Sequence, residues 1–300
     1  MNYNDDDKLI IRPSSIDNFT GCAQQWYRVF ILGERSIPNA RAAIGTAVHA
    51  GVAEYWEGAM KTGEKLESYS HVVDCAMEAF AEEEKLGLQF KDGENKGTAQ
   101  KDILVGTESF VEDIVPFVTI PKAVEKRYTI NIPGHSVVKA LSGTVDYIEG
   151  SCIADVKTST RKPTVGNYTT QQSIYRILAN ANGENITEGQ IQGVVFRKSG
   201  KAEGMLLDAN IDVVQSKALV NNLLDTLDVM AQDVVRPDVL FRGNPNYMFC
   251  SEKFCAFYNT CDFVKGPGAA AKYAASKNEE AQIVKVLENT EMANVKLDKA

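Results

Sequence analysis

Residues 142–160 read SGTVDYIEGSCIADVKTST, two short apolar runs interrupted by Asp146, Asp155 and Lys157. Charged groups in strand-like sequence are costly to bury, so their spacing carries information. If Glu149-Gly150 forms a two-residue turn, 148 faces 151, 146 faces 153 and 144 faces 155. Alternation then gathers Asp146, Asp155 and Lys157 on one face and Val145, Tyr147, Cys152, Ala154 and Val156 on the other. The two carboxylates become diagonal neighbours, about 7–8 Å apart at the backbone, within reach of one ion. Unpartnered, they repel each other; a divalent cation that prefers oxygen ligands, Mg²⁺ or Mn²⁺, relieves the repulsion. Lys157 on the same side can hold a water and stabilise charge on a phosphate. The plainer alternative is a solvent-facing hairpin with an Asp–Lys ion pair, and this fragment alone does not choose between the two.

The cysteines form a second constellation. YMFCSEKFCAFYNTCDF places Cys250, Cys255 and Cys261 close together, and Cys22 in FTGCAQQWYRVF is the natural fourth donor for a Cys₄ site. Zinc is one candidate, although Cys₄ zinc sites usually show two close C-x2-4-C pairs and only one such spacing occurs here. Cys75 and Cys152 lie in apolar patterns and read as ordinary buried thiols.

GTVDYI followed by IADVKT resembles the G-h-x-D and (D/E)-h-K motifs of the PD-(D/E)XK nuclease superfamily. GTAVHAGV resembles the helical histidine motif of its RecB-like branch, and QQSIYRI matches that branch's Q-x-x-x-Y motif, all in the same order. The resemblance implies that His49, Asp146 and Asp155 ligate the catalytic metal, with the Val156 carbonyl as an extra ligand. It further implies that Lys157 is the catalytic lysine and that Gln171 and Tyr175 orient the lysine or the DNA strand. Gly45 and Ala53, a turn to either side of His49, independently leave room for the imidazole to lean toward the hairpin. Gln172 is the alternative to Gln171, and Glu125, on the preceding strand, reads as a solvent-face residue outside the site.

RecB-like nucleases with iron–sulfur clusters use one distant N-terminal cysteine and three near the C-terminus, and Cys22, Trp26 and Tyr27 match the C-x-x-x-W-Y context of the first ligand. The implied cofactor is a 4Fe–4S cluster on Cys22, Cys250, Cys255 and Cys261, with Zn²⁺ as the alternative. A bridge from position 22 to position 250 is worth roughly 5 kcal/mol of loop-closure entropy. Its expected role is mechanical: it clamps the first helix to the C-terminal segment and walls in the DNA path.

The elements that must position these residues follow from periodicity. PSSIDNFTGCAQQWYRVFILG reads as one helix, capped by Ser14 or Ser15 and ended by Gly33, and AAIGTAVHAGVAEYWEGAM as a second. Two more helices are expected near 67–86 and 101–117, then strands in AVEKRYTINI, VVKALSGTVDYIE and SCIADVKT. A helix in NYTTQQSIYRILANA, strands in GQIQGVVFRKS and EGMLLDANI, and a helix over about 212–233 complete the core. The predicted fold class is α/β, a restriction-endonuclease-like mixed sheet flanked by helices, with a helical N-terminal region and a Cys-ligated C-terminal segment. The expected organisation is a nuclease domain over 1–264 and a linker with a terminal helix over 265–300. Within that domain a helical region covers 14–118, the catalytic core 122–235, and the cluster-binding segment 244–263 plus Cys22. GAMKTGEK imitates a phosphate-binding loop, but Glu64 stands where the lysine belongs.

The composition is 44% hydrophobic and 24% charged, that of an ordinary globular chain. The acidic N-terminus lacks a hydrophobic signal core, so a cytoplasmic location is expected and the sequons at Asn18, Asn167 and Asn185 read as chance matches. A net charge of −8 argues against a broad basic coat for nucleic acid but not against a local basic channel. The resulting expectation is a metal-dependent exonuclease acting on single-stranded DNA or DNA ends, without a membrane partner. In size the chain resembles stand-alone members found in phages and next to CRISPR systems, which suggests recombination or CRISPR-adaptation partners. A non-catalytic DNA-end adaptor and a structure- or site-specific endonuclease are the alternatives.

Overall fold

The computed structural model describes residues 7–34, 39–91 and 93–278. In chain order the main elements are β1 (Leu9–Ile11), α1 (Pro13–Gly21), α2 (Ala23–Phe30), α3 (Ala40–Thr62), α4 (Ser70–Lys85), α5 (Lys96–Ser109), β2 (Ala123–Asn131) and β3 (Val138–Glu149). They continue with β4 (Cys152–Ser159), α6 (Thr169–Ala181), β5 (Glu188–Phe196), β6 (Ala202–Asp208) and α7 (Val213–Ala231). The chain divides into two compact units, Met1–Asp17 with Arg35–Val235 and Asn18–Glu34 with Arg236–Ala300.

The first unit is built on a six-stranded mixed sheet in the order β1-β3-β4-β5-β6, with β2 also paired to β3. β1 with β3 and β4 with β5 are parallel; β2–β3, β3–β4 and β5–β6 are antiparallel. The parallel β4–β5 pair requires a crossover, and α6 supplies it. α3 is held by local chemistry at both ends: the Asn39 side chain accepts from the Ala42 N–H, and Gly63 closes the helix at φ 76. Its apolar residues recur at helical spacing, so Ala47, Val48, Val52, Tyr55 and Trp56 are buried together with Tyr147, Ala154 and Val156 of the sheet. Gly51 lets α3 and α4 approach closely, because a Cβ there would meet Val72 O and Ala76 Cβ at 3.2 Å. That packing fixes the helix carrying His49 against the hairpin carrying the carboxylates.

The single helix expected over PSSIDNFTGCAQQWYRVFIL is broken at Cys22, in the second unit, where the backbone is extended at φ −153, ψ 95. The physical reason is a later segment. Asn244 Nδ2 donates to the Gly21 carbonyl at 3.0 Å, and a Cβ on Gly21 would lie 2.4 Å from the Tyr247 ring. Trp26 stacks on Phe30 and Phe241, with centroids 5.0 and 6.2 Å away, and Tyr27 stacks on Phe241 at 4.7 Å. From Arg236 to Gly268 this unit is mostly turns, with one-turn helices at Pro237–Leu240 and Asp262–Lys265. Residues 269–278 are helical; the terminal helix read in NEEAQIVKVLENTEM lies, from 279 on, outside the described residues. β1 is a three-residue strand with no periodicity of its own to announce it. Among the described residues no helix is long and apolar enough to cross a membrane.

Candidate active site

The β3–β4 hairpin turns one residue later than the sequence suggests. Glu149 pairs with Cys152, so Gly150 and Ser151 form the turn, and Gly150 takes the positive φ of 55 at its first position. Extending that register sets Asp146 directly opposite Asp155, instead of diagonal to it; the parity of alternation is preserved. The strands pair only over 147–149 with 152–154 and then part. At the opening the Val156 N–H donates to Asp146 Oδ2 at 2.6 Å, where a ladder bond would otherwise form.

Four charged groups meet there. His49 Nδ1 lies 3.4 Å from Asp146 Oδ2, and Lys157 Nζ lies 2.8 and 2.9 Å from the two oxygens of Asp155. Asp155 is only 2% exposed. Gln171 Nε2 donates to Tyr175 Oη at 3.2 Å and sits 3.5 Å from Asp155 Oδ1. The Lys157 ammonium is 5.5 Å from the Tyr168 ring centroid, so one wall of the site is aromatic. Gln171 and not Gln172 faces the carboxylate; the Gln172 amide is buried with no hydrogen-bond partner among the described residues. The Val156 side chain is fully buried with the α3 cluster.

Glu125 is solvent-exposed, as the sequence suggests, yet it lies beside the site rather than away from it. Its carboxylate, that of Asp146 and a ring nitrogen of His49 all lie within 4.8 Å of one another. β2 runs antiparallel to β3 with Val124 opposite Tyr147 and Lys126 opposite Val145, which sets Glu125 opposite Asp146. The backbone of Glu125 is left-handed at φ 45, a costly conformation for a non-glycine residue. Alternation breaks there: Val124 packs with the α3 cluster, whereas Lys126 pairs with Glu184 just beyond α6. The sequence signal available was a lone acid in the strand before the hairpin, and it has meaning only once the β2–β3 register is known.

The electrostatics separate the two aspartates. Burial works against the ionised form of Asp146, but His49, Lys157 and the Val156 N–H outweigh it and lower its pKa. For Asp155 burial prevails, with repulsion from Asp146, over the opposing pull of Lys157, and its pKa is raised to about 6. Burial lowers the basicity of His49, yet Asp146 more than compensates and raises it. Lys157 is likewise raised by Asp155 and Asp146 against burial. Glu125 is raised by burial and then by Asp146. The donor set of one imidazole and adjacent carboxylates suits a hard divalent cation.

In the second unit Cys22, Cys250, Cys255 and Cys261 line one small cavity with Tyr247, Phe249 and Phe257. Burial and then the neighbouring sulfurs of Cys22 and Cys261 raise the thiol pKa of Cys250. Cys255 is raised by burial, opposed by a backbone hydrogen bond at Phe257, and also by the other three sulfurs. Cys75 and Cys152 lie apart from this set and are half-buried.

The profile of the PD-(D/E)XK nuclease superfamily matches residues 11–262, and the chain belongs to that superfamily. Its mixed central sheet flanked by helices is the fold of that class. Among solved structures, the "Putative exonuclease" from Eubacterium rectale is similar at 15% identity, over 78% of this chain and 86% of that one, with a TM-score of 0.53. SSO0001 is similar at 15% identity over 73% of this chain and 85% of that one, with a TM-score of 0.34. No curated protein matches this chain.

Proposed function

We propose that the chain is a RecB-like, metal-dependent DNA nuclease that removes nucleotides from single strands or DNA ends. The observation that carries this reading is the meeting of His49, Glu125 and Asp146 within 4.8 Å, beside the Asp155–Lys157 pair. A divalent ion held there supplies positive charge to the phosphate and makes a nearby water more acidic. His49, Glu125 and Asp146 would hold the ion, with Asp155, ion-paired to Lys157, as a further ligand beside them. The Val156 carbonyl remains the expected extra ligand. Lys157 is left to hold the attacking water and to balance charge on the phosphate. Gln171 and Tyr175 position Asp155 and Lys157 through the Gln171 amide. The exonuclease assignment draws on the name of the Eubacterium rectale protein, and DNA recombination or CRISPR-linked processing draws on chain size alone.

The four cysteines are assigned to a 4Fe–4S cluster. They line one cavity, and among the described residues no three of their sulfurs fall within 4.8 Å of one another. Four thiolates on one zinc, at about 2.3 Å each, would sit roughly 3.8 Å apart. Its role would be to tie the segment around Cys22 to the segment 250–261.

End-labelled single- and double-stranded DNA, incubated with and without Mn²⁺, tests the nuclease reading. Cleavage that needs metal and disappears in Asp155→Ala is the expected result. Equal activity in that variant overturns the assignment, and cutting of circular single strands would favour the endonuclease alternative. A purified protein that binds ends and cleaves nothing under any metal would leave the adaptor.

A further inference from the structure

We propose that the cleft beside Tyr175 binds the terminal phosphate of a DNA strand, an inference that rests on the nuclease reading and adds end recognition to it. The cleft has a volume of about 360 Å³ and its polar lining includes Arg12, Ser14, Arg127, Ser142, Thr144 and Tyr175. Among the described residues no carboxylate lines it.

Its construction follows from the sheet. β1 and β2 both pair with β3, and each delivers one guanidinium to the same short stretch of it. Arg12 directly follows Ile11, which pairs with Leu141; Arg127 pairs with Thr144. Between them Gly143 has no side chain, and a Cβ there would lie 2.7 Å from the Tyr175 ring and 2.8 Å from Pro13. That residue leaves room for the ring and the proline to close against β3.

Neither Arg12 nor Arg127 has an ion-pair or hydrogen-bond partner for its guanidinium among the described residues, and neither do the hydroxyls of Ser14 and Thr144. Arg28, Arg41, Arg197 and Arg236 are paired with carboxylates, whereas Arg161, Arg176 and Arg242 are, among the described residues, unpaired like Arg12 and Arg127, so what sets these two apart is their meeting at one cleft. In a chain with 40 acidic and 32 basic residues, two guanidiniums around a cleft with no carboxylate among its described lining make a local anion site. Ser142 is already engaged with Thr129 and the Tyr128 carbonyl, so it contributes only shape.

Two planar forks with two free hydroxyls suit a phosphate with several charged oxygens, which describes a terminal monoester better than an internal diester. Position agrees. Thr144 is two residues from Asp146, roughly 7 Å along a strand, so a phosphate in the cleft lies about a nucleotide from the carboxylate cluster. Tyr175, which lines the cleft, also accepts from Gln171 beside Asp155. An occupied cleft would thus set how far the end is inserted when the next phosphate reaches the carboxylates.

Fluorescence anisotropy in EDTA tests this with internally labelled single-stranded oligonucleotides carrying a 5′-phosphate, a 3′-phosphate or hydroxyls at both ends. One phosphorylated end is expected to bind about tenfold or more tightly than the hydroxyl-ended strand. Arg12→Gln and Arg127→Gln are each expected to remove most of that preference, with unchanged melting temperature and similar affinity for the hydroxyl-ended strand. Equal binding of all three oligonucleotides overturns the proposal and reassigns the cleft to internal phosphates, and a preference that survives both substitutions overturns it as well. Since binding is read without metal, the two readings fail separately. Preference for a phosphate end without Mn²⁺-dependent cleavage sinks the nuclease reading alone; cleavage indifferent to the end sinks the cleft alone.

Discussion

Asp155 offers the sharpest test of the metal site, because its pKa of about 6 is far from that of an ordinary carboxyl. A ligand must be ionised to bind a cation, so at acid pH the metal has to displace a proton. A group titrating at about 6 is roughly nine-tenths ionised at pH 7 and one-tenth ionised at pH 5, a loss of about tenfold in Mn²⁺ affinity, or ~1.4 kcal/mol. At the ordinary value it would stay more than about nine-tenths ionised at pH 5 and affinity would barely change. His49 also titrates above its usual value, since Asp146 holds its proton, and it must lose that proton to ligate. Glu125, raised by burial and Asp146, releases its own proton in both proteins. Between pH 5 and 5.5 the logarithm of the Mn²⁺ dissociation constant should therefore fall more steeply in the wild type than in Asp155→Asn, by nearly one per pH unit. Free Mn²⁺ measured by electron paramagnetic resonance gives both slopes. Identical slopes would refute the ligand role of Asp155 and the environment assigned to it.

The metal-free protein should lose stability as pH rises. Asp155 is raised in the folded state, so its contribution is complete below about pH 4 and gone above about pH 6, a span worth ~3 kcal/mol. His49, also raised, extends the decline upward from pH 6.5, and added Mn²⁺ should flatten it; melting curves in EDTA at pH 5 to 8 check this. Lys157→Ala strips Asp155 of its ammonium and should cost about 3–5 kcal/mol in urea melts at pH 7, with cleavage reduced by about 10²–10⁴-fold. Glu125→Gln should weaken Mn²⁺ binding by about tenfold or more, read by calorimetry, while leaving DNA binding in EDTA intact. Cys255→Ala should give a colourless, protease-sensitive protein with little iron by elemental analysis; a stable brown variant would remove Cys255 from the ligands.

Much of the site was legible in the chain because its parts are local. Asp155 and Lys157 lie two residues apart on one strand, Gln171 and Tyr175 lie one helical turn apart, and the shape of α3 is dictated by apolar spacing with Asn39 and Gly63 at its ends. Even the misplaced turn left Asp146 and Asp155 on one side, since shifting both partners by one residue preserves parity. The single helix over 13–32 failed for the opposite reason. Its break at Cys22 is imposed by Asn244 and Tyr247, more than two hundred residues away, and no local pattern contains them.

What the sequence alone determined, then, is the class of chemistry: the residue types, their order, and the elements that carry them, all governed by interactions within a few residues. Only tertiary structure decided which groups meet. Glu125 enters through the β2–β3 register and a left-handed backbone, and Arg12 and Arg127 share a cleft because β1 and β2 both pair with β3. Strand pairing between distant segments is selected by burial of the whole sheet, and a single acid or arginine in a strand carries no mark of the partner it will face.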